Sequence, residues 1–183
     1  MNQREAAKIS VVTVLLVVSL AIPLVHAADT SPMDLMARYI LETARAFRTV
    51  YSKTIVEQSD RVGVKPSENW ATESHGIMLP AQFVKAAGTE IRSFELGLIG
   101  LTPLYPSNLP KTQAETDALK KMMANPDLKM LTFADGNQFK GLAADYAITQ
   151  ACADCHNQHP ASPKKDFRQG DLMGAIVVRL NTK

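Results

Sequence analysis

The sequence predicts a single α+β domain, because helical patterns fill the first part of the chain and strand patterns the last part. After Ser31, apolar residues recur at three- and four-residue steps, which is the spacing of one helix face. Further on, two β-prone runs, residues 128–133 and 139–148, flank the turn sequence Asp135-Gly136-Asn137. No internal repeat or long linker divides the 183 residues, so we expect one core.

The first element is predicted to be a long helix that ends near residue 55. Ser31 can cap its first turn, Pro32 suits its first position, and Asp34 lies where the helix dipole favours an acid. We expect its apolar stripe to face the core, although a long amino-terminal helix can also join two chains into a homodimer. The stripe consists of Met36, Ile40, Ala44, Phe47, Val50 and Tyr51.

The later elements are predicted from helical spacing, strand composition and the positions of Pro and Gly. In chain order they are a loop over 59–74, a helix over 80–94, an extended segment over 95–105, a helix over 112–123, a hairpin over 128–148 and an interior strand over 172–180. Strands that follow one another in this way predict an antiparallel sheet with flanking helices.

The amino terminus has the composition of a secretory signal peptide. Arg4 and Lys8 precede an apolar run over 9–24, and we predict cleavage after Ala27. The run is shorter than a membrane-spanning helix needs, so we expect no stable membrane anchor after cleavage. The sequence therefore predicts a periplasmic protein whose domain covers residues 28–183.

The charge balance excludes one large class of function. The chain has 20 basic and 18 acidic residues, and removal of Arg4, Glu5 and Lys8 with the signal peptide leaves it almost neutral. A nucleic-acid-binding protein would show a strong basic excess, so we expect no nucleic-acid partner.

The most specific motif is Cys152-Ala153-Asp154-Cys155-His156, which contains both cysteines of the chain. Cys-x-x-Cys-His is the attachment signature of a c-type haem. On a short helical turn, each thiol can add to one vinyl group of the same porphyrin, and the next residue brings an imidazole under the iron. We therefore predict one covalent haem c on Cys152 and Cys155, with His156 as the proximal iron ligand.

Two other roles of these cysteines are alternatives to haem attachment. Cys152, Cys155, His159 and His75 could form a tetrahedral zinc site, but no second compact ligand pair exists and His156 would have no role. A redox disulfide of the thioredoxin kind needs a βαβ setting, which the surrounding sequence lacks.

Three stretches of the sequence resemble a known family. They are Arg48, Tyr51 and Val56 in the first helix, the phrase His75-Gly76-Ile77-Met78-Leu79-Pro80-Ala81-Gln82-Phe83, and the tail from Cys155-His156-Asn157 to Gly170-Asp171-Leu172-Met173-Gly174-Ala175-Ile176. They are similar to the single-haem c-type family with a PAS-like haem domain, whose members stand alone in the periplasm or form sensor ectodomains. The resemblance implies a PAS-like antiparallel sheet with a long amino-terminal helix.

The ligand on the opposite side of the iron stays open at this point. Some relatives are thought to place a cysteine there, but both cysteines of this chain would be used for attachment. His75 is the first candidate and Met78 the alternative, whose thioether would raise the reduction potential. A vacant or water-filled position is the third outcome. His159 lies on the proximal side, three residues after His156, and is expected to be a loop residue.

These expectations lead to two functions. The first is electron transfer between ferric and ferrous iron, with a redox partner protein. The alternative is a redox or diatomic-gas sensor that signals through a partner protein. The sequence has no nucleophile elbow, phosphate-binding loop or paired carboxylates, so we do not expect an enzyme. A haem peroxidase is the weaker third reading, because no distal acid–base pair can be named.

Overall fold

A four-stranded antiparallel sheet forms the centre of the molecule. The computed structural model describes residues 31–182, and the predicted signal peptide lies outside this range. The strands stand in the order β3-β6-β5-β4. Their bounds are β3 Glu95–Ile99, β4 Met130–Asp135, β5 Gln138–Tyr146 and β6 Leu172–Asn181. The predicted hairpin is β4–β5, and the predicted interior strand is β6, which pairs with both β3 and β5. The α+β prediction is confirmed.

Helices precede the sheet and separate its strands, and a short parallel pair of strands lies among them. The helices are α1 Pro32–Val50, α2 Glu57–Arg61, α3 Pro80–Glu90, α4 Gln113–Ala124 and α5 Gln150–Gln158. Tyr51–Val56 is a π-helical segment between α1 and α2, and Pro106–Asn108 is a 3-10 turn. The short parallel pair is β1 Lys65–Ser67 with β2 Gly76–Met78.

The two faces of the sheet are covered by different helices. Side chains of α1 and α3 pack on one face, around Leu41, Val84 and Ile176. Side chains of α4 pack on the other face, around Leu119 and Val177. None of the helices within residues 31–182 is both long and apolar enough to cross a membrane.

The face of α1 that packs on the sheet differs in part from the predicted one. Leu41 is fully buried, whereas Met36, Phe47 and Val50 of the predicted core stripe are exposed. Gly141 in β5 explains the choice, because a Cβ at this position would lie 2.7 Å from Cδ1 of Leu41. The missing side chain lets α1 lie close to the sheet along the Leu41 face. The predicted stripe is therefore wrong at Met36, Phe47 and Val50, whereas its Ile40 and Ala44 pack against the same core cluster as Leu41.

Three predicted boundaries also differ from the structure. Helix α3 ends at Glu90 and not at residue 94, because the backbone becomes extended at Ile91, and β3 then passes so close to α3 that a Cβ on Gly88 would lie 2.3 Å from the Leu96 carbonyl oxygen. The extended segment stops at Ile99. The predicted loop over 59–74 contains β1, whose Pro66 is tolerated because β1 is short and has a single partner strand.

The start of α4 contains a buried ionic cluster. The Thr112 side chain accepts a hydrogen bond from the Glu115 amide, and Glu115 accepts one from the Lys111 amide at 2.8 Å, which together cap the helix. Oε1 of the fully buried Glu115 also lies 2.7 Å from Nζ of Lys140 and from Nε of Arg179. Desolvation raises the pKa of Glu115, but the hydrogen bonds from Arg179 and Lys140 outweigh it and hold the pKa at about 2.

Candidate functional site

Both cysteines and the histidine of the Cys-x-x-Cys-His motif lie on helix α5. Thr149 precedes the first turn, and its hydroxyl lies 3.4 Å from Sγ of Cys152. Cys152, Cys155 and His156 are three and four residues apart, so the helix presents them on one face. All three line the same cavity, and neither cysteine forms a disulfide. The structure thus brings the predicted attachment and ligand residues together.

The cavity encloses about 510 Å³. This volume falls within the range of about 300–1,000 Å³ that is usual for cofactor and small-molecule sites. Helix α5 forms one part of the wall, and the end of α1 with its π-helical extension forms another. Further parts come from the start of α3, from β3, β5 and β6, and from loops that include residues 66–69, 102–108 and 162–167. The site therefore lies at one end of the sheet, on the face that α1 covers.

The imidazole of His156 is held in an apolar setting at the cavity wall. Burial lowers its pKa, and the charges of His159 and Arg48 add to this effect. A neutral imidazole is the form that binds metal ions. The Phe167 ring meets the imidazole edge-on at a centroid distance of 5.7 Å. Asn157 holds Phe167 in place, because its side chain donates to the Phe167 carbonyl at 2.9 Å and accepts from the Phe167 amide at 2.8 Å.

The setting of the Cys155 thiol is not that of a reactive redox cysteine. Burial raises the pKa of Cys155, and the nearby Glu68 and Cys152 raise it further. Reactive redox cysteines have lowered pKa values, so this setting disfavours the thioredoxin-like alternative. Within residues 31–182, no group of three or more His, Cys, Asp or Glu side chains is placed to hold a metal ion. The zinc alternative therefore lacks its ligand cluster.

The two distal-ligand candidates taken from the sequence do not line the cavity. The His75 side chain is exposed, just before β2. Met78 lies in β2, paired with Ser67, and its carbonyl oxygen accepts a hydrogen bond from the Tyr51 hydroxyl at 2.7 Å. Neither residue is among those that form the cavity wall. His159 binds Glu68 through Nε2 at 3.1 Å, which agrees with its expected place in a loop.

Two charged residues at the cavity were missed by the sequence analysis. Arg48 of α1 and Asp145 of β5 both line it, and Nη1 of Arg48 lies 2.9 Å from Oδ1 of Asp145. Both side chains are largely buried. Each interrupts an apolar pattern: Arg48 continues the spacing of Leu41 on the buried face of α1, and Asp145 continues that of Ala143 in β5. A search for charged residues on predicted core faces would have found them.

Two further residues give the cavity its local chemistry. Ser52 is fully buried in the π-helical segment, and its hydroxyl donates to the Arg48 carbonyl at 2.9 Å. Such segments are often found at functional sites. Met173 lines the cavity at a β-bulge, where Asp145 pairs with Gly174 but the next residue of β5 pairs with Leu172. A bulge changes the direction of a side chain, which explains how a residue of β6 reaches the cavity.

The fold and the site together define a class of protein. It is an α+β domain in which a helix with the Cys-x-x-Cys-His motif lies beside a cavity. Within this class, the chain belongs to the Tll0287-like family, whose family model matches residues 29–181. Its family membership confirms the resemblance found in the sequence.

The fold is similar to the crystal structure of the cyanobacterial haem-protein Tll0287, with a TM-score of 0.56. The two chains are 16% identical, and the match covers 84% of this chain and 98% of the other. At this identity the likeness establishes the fold alone. No curated protein shows significant sequence similarity to the chain.

Proposed function

We propose that the protein is a periplasmic monohaem c-type cytochrome that transfers electrons. The observation that carries this proposal is the common position of Cys152, Cys155 and His156 on one helix face at the wall of a 510 Å³ cavity. The donor set fits a c-type haem, because two thiols and an imidazole stand on one face of α5 at the cavity wall. The likeness of the fold to the haem-protein Tll0287 supports haem as the cofactor.

Attachment uses the two thiols and the α5 helix that spaces them. Cys152 and Cys155 would hold the haem as thioethers, each formed by adding its S–H bond across the C=C bond of one vinyl group, with the sulfur on one carbon and the hydrogen on the other. Such an addition would neither gain nor lose electrons. His156 would supply the imidazole that binds the iron. The bound haem supplies a one-electron exchange between ferric and ferrous iron, with the electron passing to or from a partner protein.

Met173 is the only methionine among the residues that line the cavity, and it would be our candidate for the second iron ligand. It lines the cavity at the β-bulge, whereas His75 and Met78 do not. Histidine and methionine together are the ligand pair of cytochromes c, and this pair raises the reduction potential. The proposal therefore assigns electron transfer to a His156 and Met173 pair. Met173 thus replaces His75 and Met78 as the leading candidate for the iron ligand opposite His156.

A gas sensor is the second candidate, and one feature of the cavity favours it. Among the residues that line the cavity, His156 is the only histidine. If Met173 does not bind the iron, the lining offers no second histidine to fill the sixth position. An open sixth position would allow carbon monoxide or nitric oxide to bind, and the resulting change in the cavity would be read by a partner protein.

Carbon monoxide separates these two functions. For the reduced holoprotein, the electron-transfer proposal predicts a low-spin spectrum that does not change when carbon monoxide is added. It also predicts that Met173→Leu opens the sixth position and allows the gas to bind. His75→Ala and Met78→Leu are the matched controls and should keep the wild-type response. Ready binding by the wild type would support the sensor, and binding by His75→Ala alone would assign the ligand to His75.

The location and the partner belong to the same proposal. Export with cleavage after Ala27 would bring the thiols to the compartment where c-type haem is attached. Lys164, Lys165 and Arg168 are exposed in the loop that also carries Phe167 at the cavity wall. These positive charges beside the site would guide an acidic redox partner during encounter.

A further inference from the structure

Arg48 is a buried cation with hydrogen-bonding capacity that the protein does not use. Its side chain is 6% exposed and lines the cavity. Nε and Nη1 are buried atoms that find no hydrogen-bond partner, and within residues 31–182 no other buried side-chain atom shares this condition. Leaving such donors unpaired is costly, because each loses its hydration without compensation. The arrangement therefore indicates a partner for Arg48 that is not part of the polypeptide.

Asp145 satisfies this guanidinium only in part. Its Oδ1 lies 2.9 Å from Nη1, but the contact lacks the geometry of a hydrogen bond. Burial raises the pKa of Asp145, against the opposing effects of Arg48 and Arg45. Nε and Nη1 of Arg48 consequently remain free to donate to an acceptor in the cavity, and a carboxylate is the acceptor that matches a guanidinium best.

We propose that Arg48 binds a propionate carboxylate of the haem. The inference rests on the proposed function, since it requires haem in this cavity. The propionates are the anionic groups on the rim of the porphyrin, and the planar guanidinium fork matches a carboxylate in two-point geometry. Lys85, another cation at the cavity, is exposed and donates to Asn108 at 3.1 Å. Arg48 is thus the buried donor that a propionate can reach without competition from solvent.

Infrared difference spectra between the oxidised and reduced protein test this assignment directly. The haem is labelled with carbon-13 in its propionate carboxylates, so that their stretching bands can be told apart from those of Asp and Glu. Replacement of Arg48 by Met removes both the positive charge and the planar guanidinium group, and we expect the labelled bands to shift. Arg48→Lys keeps the charge alone and should give a smaller shift in the same direction. Arg45→Met, at an exposed position of the same helix, should leave the bands unchanged.

The outcomes distinguish this inference from the proposed function. Labelled bands that stay the same in Arg48→Met overturn the propionate assignment and leave the cytochrome proposal standing. A wild-type protein without labelled haem overturns both. If Arg48→Met does not fold, Arg48→Lys decides the question, because it retains a cation in the same place: unchanged bands in this variant contradict the assignment.

Discussion

At the scale of single residues, the chemistry of the site is set by charges placed where the sequence pattern calls for apolar side chains. Arg48 on helix α1 and Asp145 on strand β5 lie next to each other in the cavity wall. The sequence shows each of them as an exception to a spacing rule. That they form a pair depends on how α1 crosses the sheet, which local patterns do not specify.

The Cys-x-x-Cys-His motif was the most predictable part of the site. The candidate iron ligand opposite His156 was the least predictable part. Cys152, Cys155 and His156 are close in sequence, so their relation follows from helix geometry alone. His75 and Met78 were chosen because few other ligands were available, and no local rule relates them to α5. Met173 reaches the cavity through a bulge, and the position of a bulge depends on strand pairing across the sheet.

Loss of the buried Glu115 carboxylate should strongly destabilise the folded protein. Replacing it by Gln leaves Lys140 and Arg179 buried without their anion, so we expect the free energy of unfolding at neutral pH to fall by about 3–5 kcal/mol. Urea titration of the wild type and of Glu115→Gln measures the difference. Glu42→Gln, at an exposed position of α1, is the control and should be nearly neutral.

The wild type and Glu115→Gln also give a prediction for how stability depends on pH. The pKa of Glu115 is about 2 in the folded protein and 4.5 as its ordinary value, so the unfolded chain binds the proton more readily. Its stabilising contribution is complete above about pH 4.5 and is lost as the pH falls toward 2. The stability gap between wild type and Glu115→Gln should close over this window. A gap that stays constant down to pH 2 would show that the ionised carboxylate is not what stabilises the cluster.

At the scale of elements, the existence of helices and strands was predicted well, and their faces and ends less well. The hairpin followed from the Asp135-Gly136-Asn137 turn, in which Gly136 adopts a φ of +60°. The prediction missed that Leu41 lies at the centre of the buried face of α1, because this depends on Gly141, which belongs to a strand about a hundred residues further on. When apolar residues surround much of a helix, their periodicity alone does not show which of them are buried.

The contact between α3 and β3 gives a prediction at this scale. A Cβ on Gly88 would lie 2.3 Å from the Leu96 carbonyl oxygen, and backbone cannot move away as easily as a side chain. We expect Gly88→Ala to lower the free energy of unfolding by about 1–3 kcal/mol, as overpacking does. Thermal and urea unfolding measure the loss.

Gly97 provides a matched control in the strand that faces α3. A Cβ there would lie 3.9 Å from Cγ1 of Val177, which is an ordinary contact. Gly97→Ala should therefore be neutral or slightly stabilising, because glycine weakens a strand interior. Equal stability of Gly88→Ala and Gly97→Ala would contradict the close approach of α3 to β3.

At the scale of the whole molecule, the fold places two distant parts of the chain around one cavity. The amino-terminal helix supplies Arg48 and Ser52, and the last third of the sequence supplies α5 and the Met173 bulge. The α+β class could be predicted because the order of elements is visible in the sequence. The cavity could not, because its wall combines residues from α1, α3, α5 and the sheet, which are far apart in the sequence.

The intact mass of the protein, produced with its amino terminus in a host that attaches c-type haem in the periplasm, tests the central claim most directly. We predict that the wild-type chain lacks residues 1–27 and carries the mass of one haem, which persists in denaturant. The double variant Cys152→Ala with Cys155→Ala should lose this mass while keeping the same processed amino terminus. A wild-type mass equal to that of the polypeptide alone, with both thiols free to react, would contradict covalent attachment at Cys152 and Cys155.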